Sequence, residues 1–271
     1  MKTFIRRPGN KTKHLKHIIP LIPEFTGIYY EPFVGTGAVY VHLLPEKAVI
    51  NDLNKDIINI WKLVKSNPEY IIQEIDKFKK AFLHLNNVDK LKMCKKIVSN
   101  MDKLKGDKRT VNYLLMNYCS FNSCIYSKNN LYISGLNGNI FLKNQCHIFT
   151  ENYKQKLQDL QKILKNVNIK NKDYKLILKN CKKGDFVFLD PPYIEEKKYL
   201  FDYDKKTEFN LLELVKELDI LTKKGVKFMM TQIDTNQVRN LFGKYKIKIY
   251  NNDSNYRGKR TDKKEVIITN Y

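Results

Sequence analysis

Three short stretches of the 271-residue chain set reactive side chains beside backbone with little freedom. The first, Asp190-Pro191-Pro192-Tyr193, follows the apolar run Phe186–Leu189. Neither proline can donate to a sheet ladder, so the pair reads as a fixed extended turn that offers carbonyls and aims the flanking Asp and Tyr. A bare turn has no need of a carboxylate at the mouth of a buried strand, where desolvation is costly without a partner. The second, Phe33-Val34-Gly35-Thr36-Gly37, reads as a strand-to-helix turn whose glycines allow close approach of a ligand, although a plain tight turn would look the same. It lacks the third glycine of the dinucleotide fingerprint, which disfavours a pyrophosphate cradle. The third, Asp52, ends the next apolar run about twenty residues on, where a carboxylate can accept from both hydroxyls of a ribose. Its alternative reading is a helix N-cap at Asp52 or Asn54.

A nucleoside held without a pyrophosphate suggests S-adenosylmethionine, leaving S-adenosylhomocysteine as product. The chemistry that then wants Asp190-Pro191-Pro192-Tyr193 is methylation of an exocyclic amine, a poor nucleophile because its lone pair is delocalised into the ring. If the Asp190 carboxylate and the Pro191 carbonyl each accept one N–H, the nitrogen is held toward tetrahedral geometry, and positioning supplies most of the rate. Tyr193 would stack on a base swung out of a duplex. No metal is required.

These residues need elements to carry them. Gly27–Phe33 reads as a short buried strand, Ala38–Leu44 as a helix broken at Pro45, Ala48–Ile50 as a strand and Asp56–Val64 as a helix. Residues 67–108 are amphipathic and lysine-rich and read as two helices, with a further helix over Val111–Cys119. Residues 120–138, with strand-like Leu131–Ile133, read as a loop or hairpin, and 151–166 return to helix. Phe186–Leu189, Val226–Met230, Ile247–Tyr250 and Glu265–Tyr271 read as strands and Leu211–Leu221 as a helix. Continuous apolar runs suit strands covered on both faces of a mostly parallel sheet. The expectation is an α/β core, 1–55 with 170–271, split by a helical domain over 56–150 and a connecting helix over 151–169.

Fifty Lys and Arg against 28 Asp and Glu give a net charge of +22, while 42% hydrophobic residues supply a core and exclude a disordered basic tail. Lysine-rich drift in an AT-rich coding sequence would spread evenly. Residues 1–55 carry 8 basic against 4 acidic side chains, 56–180 carry 23 against 10, and 181–271 carry 19 against 14. The surplus therefore concentrates in the middle, the candidate nucleic-acid-facing module. Five cysteines without a CxxC pair (Cys94, Cys119, Cys124, Cys146, Cys181) specify neither a disulfide framework nor a zinc site. With no long apolar window and no secretory signal, the chain is expected to be soluble and intracellular, in the cytoplasm or where the DNA lies, a nucleoid or a viral factory.

In Tyr30–Gly37, Ala48–Asp52, Lys183–Tyr193, Arg257-Gly258-Lys259 and Glu265–Tyr271 the chain resembles the Dam-like (alpha-group) DNA adenine-N6 methyltransferases. The resemblance implies a Rossmann-like S-adenosylmethionine-dependent core, an inserted helical target-recognition domain with a β-hairpin, double-stranded DNA as substrate, and a restriction endonuclease as a partner to look for. It implies Arg7, Lys11, Phe33, Gly35, Gly37, Asp52 and Asp190 as cofactor contacts. Arg7 stands where the family carries an aromatic. The hairpin residues Phe121, Asn122, Tyr126, Lys128 and Asn129, together with Arg257 and Lys259, are implied as DNA contacts. After Phe121-Asn122, where GATC-reading relatives place an Arg able to pair with guanine, this chain reads Ser123-Cys124-Ile125-Tyr126. The hairpin then reads another site, or GATC by other side chains. An RNA adenine-N6 methyltransferase, a cytosine-N4 enzyme and a silent DNA-binding protein of the same fold are the alternatives.

Overall fold

The computed structural model describes residues 3–7, 9–120, 125–127, 131–133, 152–193, 209–251, 255–256, 259–260 and 264–271. Two compact units emerge, Lys11–Leu53 with Asn166–Tyr271, and Thr3–Asn10 with Asn54–Lys165.

The first unit is built on seven strands, β1 Tyr29–Glu31, β2 Ala48–Asn51, β3 Val167–Lys170, β4 Phe186–Leu189, β5 Lys227–Ile233, β6 Lys246–Asn251 and β7 Lys264–Thr269. They lie in the order β3-β2-β1-β4-β5-β7-β6. The first five run parallel, and β7 is antiparallel to both β5 and β6. All four residues of β4 are buried, as a strand covered on both faces requires, whereas the edge strand β6 turns Lys246 and Lys248 to solvent. The α/β Rossmann-like class is thus present, and its strand order reverses between β1 and β4, where such sheets bind ligands.

Alternation along the strands sorts side chains onto two faces. Tyr30, Val187, Leu189, Phe228, Met230, Val266 and Ile268 pack with Leu214, Leu218 and Phe242 of helices Leu211–Lys223 and Asn236–Phe242. The opposite face carries Tyr29, with ring centroids 6.5 Å from Tyr40 on helix Ala38–Leu43 and 6.1 Å from Phe186. By the same alternation Glu31, Thr231 and Glu265 share that second face. Three buried polar residues on one side of a sheet mark where chemistry is possible.

The second unit holds helices Lys55–Ser66, Pro68–Leu83, Asn87–Ser99, Gly106–Cys119 and Tyr153–Leu164 and the antiparallel ribbon Ile125–Ser127 with Leu131–Ile133. Its asparagines have structural work: Asn54, Asn67 and Asn86 cap three of the helices by accepting backbone N–H groups. Arg109 donates to Asp56 at 3.1 Å, joining the first helix to the fourth.

Three expectations differ from these boundaries. Residues 3–10, expected with the core, group with the helices, where the Tyr118 hydroxyl donates to the Phe4 carbonyl. Helix Tyr153–Leu164 belongs to the helical unit rather than linking the two. Within the stretch expected as connecting helix, Val167–Lys170 is a strand, because its alternating Val and Ile pair beside β2 at the sheet edge. Cys94, Cys119 and Cys181 are buried free thiols. No described helix is long and apolar enough to cross a membrane.

Candidate active site

At the carboxyl ends of β1 and β2 the glycine turn is held by its neighbours rather than by its own side chains. Gly35 and Gly37 both have positive φ, 45° and 67°, a conformation that L side chains resist. The Gly35 N–H donates to Asp52 Oδ2 at 2.9 Å, and the Val34 N–H donates to the Asn51 carbonyl at 2.7 Å. Asp52 is 4% exposed, and the helix cap that competed for its role is Asn54 instead. Buried Asn51 ties three chain segments: its Nδ2 donates to the carbonyls of Pro32 at 2.9 Å and Lys172 at 3.0 Å, and its Oδ1 accepts the Lys172 N–H. Phe33 extends the rim, its ring 5.3 Å from Tyr174 and 5.6 Å from Phe209.

Beneath the turn, Glu31 replaces the cap that Gly37 cannot supply. Its Oε2 accepts the Tyr40 N–H at 3.1 Å and the Tyr29 hydroxyl at 2.6 Å. Burial, with Asp190 and Asp52 adding to it and the Tyr29 hydroxyl opposing, raises this carboxyl to about 8. The folded protein therefore holds a proton that the unfolded chain releases near 4.5, so the stability Glu31 contributes is full below that value and is lost as pH rises through about 8. Glu31→Gln is expected to flatten the fall in unfolding free energy between about pH 5 and about pH 8. Urea unfolding at both values checks this, and an unchanged difference contradicts it.

At the end of β4, Asp190 meets two donors on a single oxygen. Lys11, itself 6% exposed, lies 2.9 Å from Oδ1, and the Thr231 hydroxyl donates to the same atom at 2.8 Å. Burial pushes the Asp190 carboxyl up, and the Lys11 ammonium and the Thr231 bond oppose that push. Both partners sit on Oδ1, which leaves Oδ2 as the atom positioned for another donor. Gln232 Nε2 donates to the Pro192 carbonyl at 3.2 Å. Tyr193 is held from two sides: its hydroxyl donates to Glu265 Oε2 at 2.9 Å, and the Lys11 ammonium stands 4.5 Å from its ring centroid. The same Oε2 accepts the Tyr250 hydroxyl at 2.6 Å, and His14 Nδ1 is 3.6 Å away. Desolvation and the neighbouring Asp190 and Glu265 carboxyls raise the phenol of half-buried Tyr193 well above the ordinary range, so it stays a neutral donor.

The structure therefore joins Lys11, Asp190 and Tyr193 in one cluster, and Gly35 with Asp52 in another beside Phe33. Glu31 feels both carboxylates and so links the two. Arg7 groups with the helical unit instead of the sheet. Tyr126 lies on the ribbon opposite Tyr132, and Lys259 pairs with Tyr256 in a two-residue ribbon. Phe121, Asn122, Lys128, Asn129 and Arg257 fall outside the described residues. Glu31, Asn51, Thr231, Gln232, Glu265, His14 and Tyr250 were not anticipated from the sequence. For the two glutamates a signal existed: an acid within a continuous apolar run must be buried, and a buried acid needs partners.

Comparison with known proteins identifies the family of the chain. A sequence model of the family described as D12 class N6 adenine-specific DNA methyltransferase matches residues 8–256. The Type II methyltransferase M1.LlaDCHI of Lactococcus lactis subsp. cremoris is 28% identical over 298 aligned positions, covering 100% of this chain and 96% of the relative. The Type II methyltransferase M.MjaIII of Methanocaldococcus jannaschii is 28% identical over 251 positions, 85% of this chain and 84% of the relative. A DNA adenine methylase of Haemophilus influenzae is 24% identical over 276 positions, 98% of this chain and 92% of the relative.

Proposed function

The chain belongs to the D12 class N6 adenine-specific DNA methyltransferases, and on that premise we propose that it methylates N6 of an adenine swung out of duplex DNA at a specific site, with Asp190, Pro191, Pro192 and Tyr193 as the catalytic residues. The observation that carries the assignment of roles is the convergence of Lys11 and Thr231 on Asp190 Oδ1. With that oxygen occupied, Oδ2 accepts one N–H of the target amine and the Pro191 carbonyl accepts the other. Holding both hydrogens pulls the nitrogen out of conjugation with the ring, and the fixed turn makes this a matter of position rather than of strong base. The proton shed on methylation leaves toward Oδ2, the acceptor already in place. Tyr193 offers its ring to the base.

The family implies S-adenosylmethionine, which when bound supplies a methyl group on a sulfonium. The residues present fit it. A Cβ on Gly35 would meet nothing within 4 Å, so the turn opens onto space where a ligand can approach the backbone. Asp52 is the acceptor for ribose hydroxyls, Phe33 the apolar wall, and Gly35 and Gly37 the close-approach positions. Lys11 serves there as the counter-ion of Asp190. Arg7 remains a cofactor candidate on the resemblance alone.

The helical unit is the target-reading module in this proposal, supported by its 20 basic against 9 acidic side chains over Asn54–Lys165 and by the ribbon at Ile125–Ser127 and Leu131–Ile133. Its DNA contacts are assigned to Phe121, Asn122, Tyr126, Lys128 and Asn129, with Arg257 and Lys259 from the C-terminal third. The relatives' type II names point to a cognate restriction endonuclease as partner, and to action inside the cell where DNA lies. Incubation with labelled methyl donor and equal amounts of duplex DNA and structured RNA tests the substrate. Label is expected in DNA adenine, and preferential labelling of RNA overturns the assignment.

A further inference from the structure

Behind the catalytic turn, Glu265 occupies a place that no step of the reaction uses. It is 3% exposed, yet it sits in β7 among Val266, Ile267 and Ile268, all buried. The antiparallel register sets Glu265 opposite Ile233 of β5 and Tyr250 of β6. Its strand phase turns it to the face that carries Thr231. One oxygen, Oε2, gathers the Tyr193 hydroxyl at 2.9 Å and the Tyr250 hydroxyl at 2.6 Å, with His14 Nδ1 at 3.6 Å. His17 stacks on Tyr250 with centroids 4.6 Å apart, closing the cluster from the side of the N-terminal turn that also carries Lys11.

A carboxylate buried at this depth is costly unless it is satisfied, and an apolar residue would fill a sheet position more cheaply. A tyrosine ring turns about χ2, a broad two-fold torsion, so a ring whose hydroxyl is tied at one end and whose face meets an ammonium at 4.5 Å is held in one orientation. We propose that Glu265 is a positioning residue, which fixes the Tyr193 ring in the plane that receives the target base by accepting a hydrogen bond from its hydroxyl, with Tyr250 completing the anchor. The inference rests on Tyr193 being the surface that meets the base.

A double-mutant cycle on the full chain separates this role from a contribution to folding alone. Tyr193→Phe keeps the ring and removes the tether, and Glu265→Leu keeps much of the volume and removes the acceptor. Each is expected to lower kcat/KM for DNA about tenfold while KM for S-adenosylmethionine stays within about twofold of wild type. In the double variant the loss is expected to stay within about twofold of the worse single one, because both substitutions cut the same bond. Multiplication of the two factors overturns the inference, as does a parallel rise in the cofactor KM. If Glu265→Leu does not accumulate, Glu265→Asp, which keeps the charge and withdraws the acceptor by one methylene, runs the same cycle with the same expected coupling. A wild-type protein that methylates no DNA adenine defeats the reading of the site; an active wild type with independent factors defeats only the role of Glu265.

Discussion

Asp190→Asn is expected to lower methyl transfer about a thousandfold, about 4 kcal/mol of barrier, while leaving affinity for duplex DNA within a few-fold of wild type. The substitution is chosen for what it preserves. Its amide oxygen can still accept from Lys11 and Thr231, which stand 2.9 and 2.8 Å from Oδ1. Its amide nitrogen then faces the target amine, so two donors oppose each other where one acceptor stood. Asp190→Ala is expected to abolish transfer as well, but it removes the carboxylate 2.9 Å from the buried Lys11 ammonium and costs stability besides. Single-turnover kinetics with a DNA-binding titration separate the two effects. A rate within about tenfold of wild type would mean that Asp190 Oδ2 does not hold the amine.

Removing the other half of the pair should move the pH profile. Lys11 opposes the upward push of burial on Asp190, and a charge so placed commonly holds a carboxyl down by one to three pH units or so. In Lys11→Met that opposition is gone, the Asp190 carboxyl rises further, and its ionised fraction at neutral pH shrinks. Because the ionised form is the acceptor, kcat is expected to fall roughly tenfold to a hundredfold near pH 7 and to recover partly as the solution is made more alkaline. The acidic limb of the profile therefore moves to higher pH. A uniform loss at all pH values would assign Lys11 to binding alone.

The path from sequence to site was clearest where backbone chemistry is strict. Two prolines just past Asp190 at the end of an apolar run read as an extended stop at a strand mouth, and Gly35 with Gly37 as a tight turn, where both adopt positive φ. The antiparallel direction of β7 was not legible, because a buried strand of either direction shows the same continuous apolar run. Strand β3 was missed because four alternating residues at an edge resemble the end of a helix. The supports of the active turn escaped for a different reason. Thr231 and Glu265 act through register: Glu265 stands out on its apolar strand as an acid in need of partners, but which partners those are, Asp190 for Thr231 and Tyr193 for Glu265, follows only from how β5, β7 and β4 line up. Lys11 shows the same limit. The resemblance assigns it to the cofactor, and its place beside the Asp190 carboxylate and the Tyr193 ring follows only from the fold.

In the proposed mechanism one carboxylate and one carbonyl of the Asp190-Pro191 segment hold an adenine amine for methylation. The most direct test is to express the wild-type chain and Asp190→Asn in a host without endogenous adenine methylation and to map modified bases across the host DNA. N6-methyladenine confined to one short sequence in the wild type, and absent from the variant, is the predicted result. Modification at cytosine, or N6-methyladenine that persists in the variant, would contradict it.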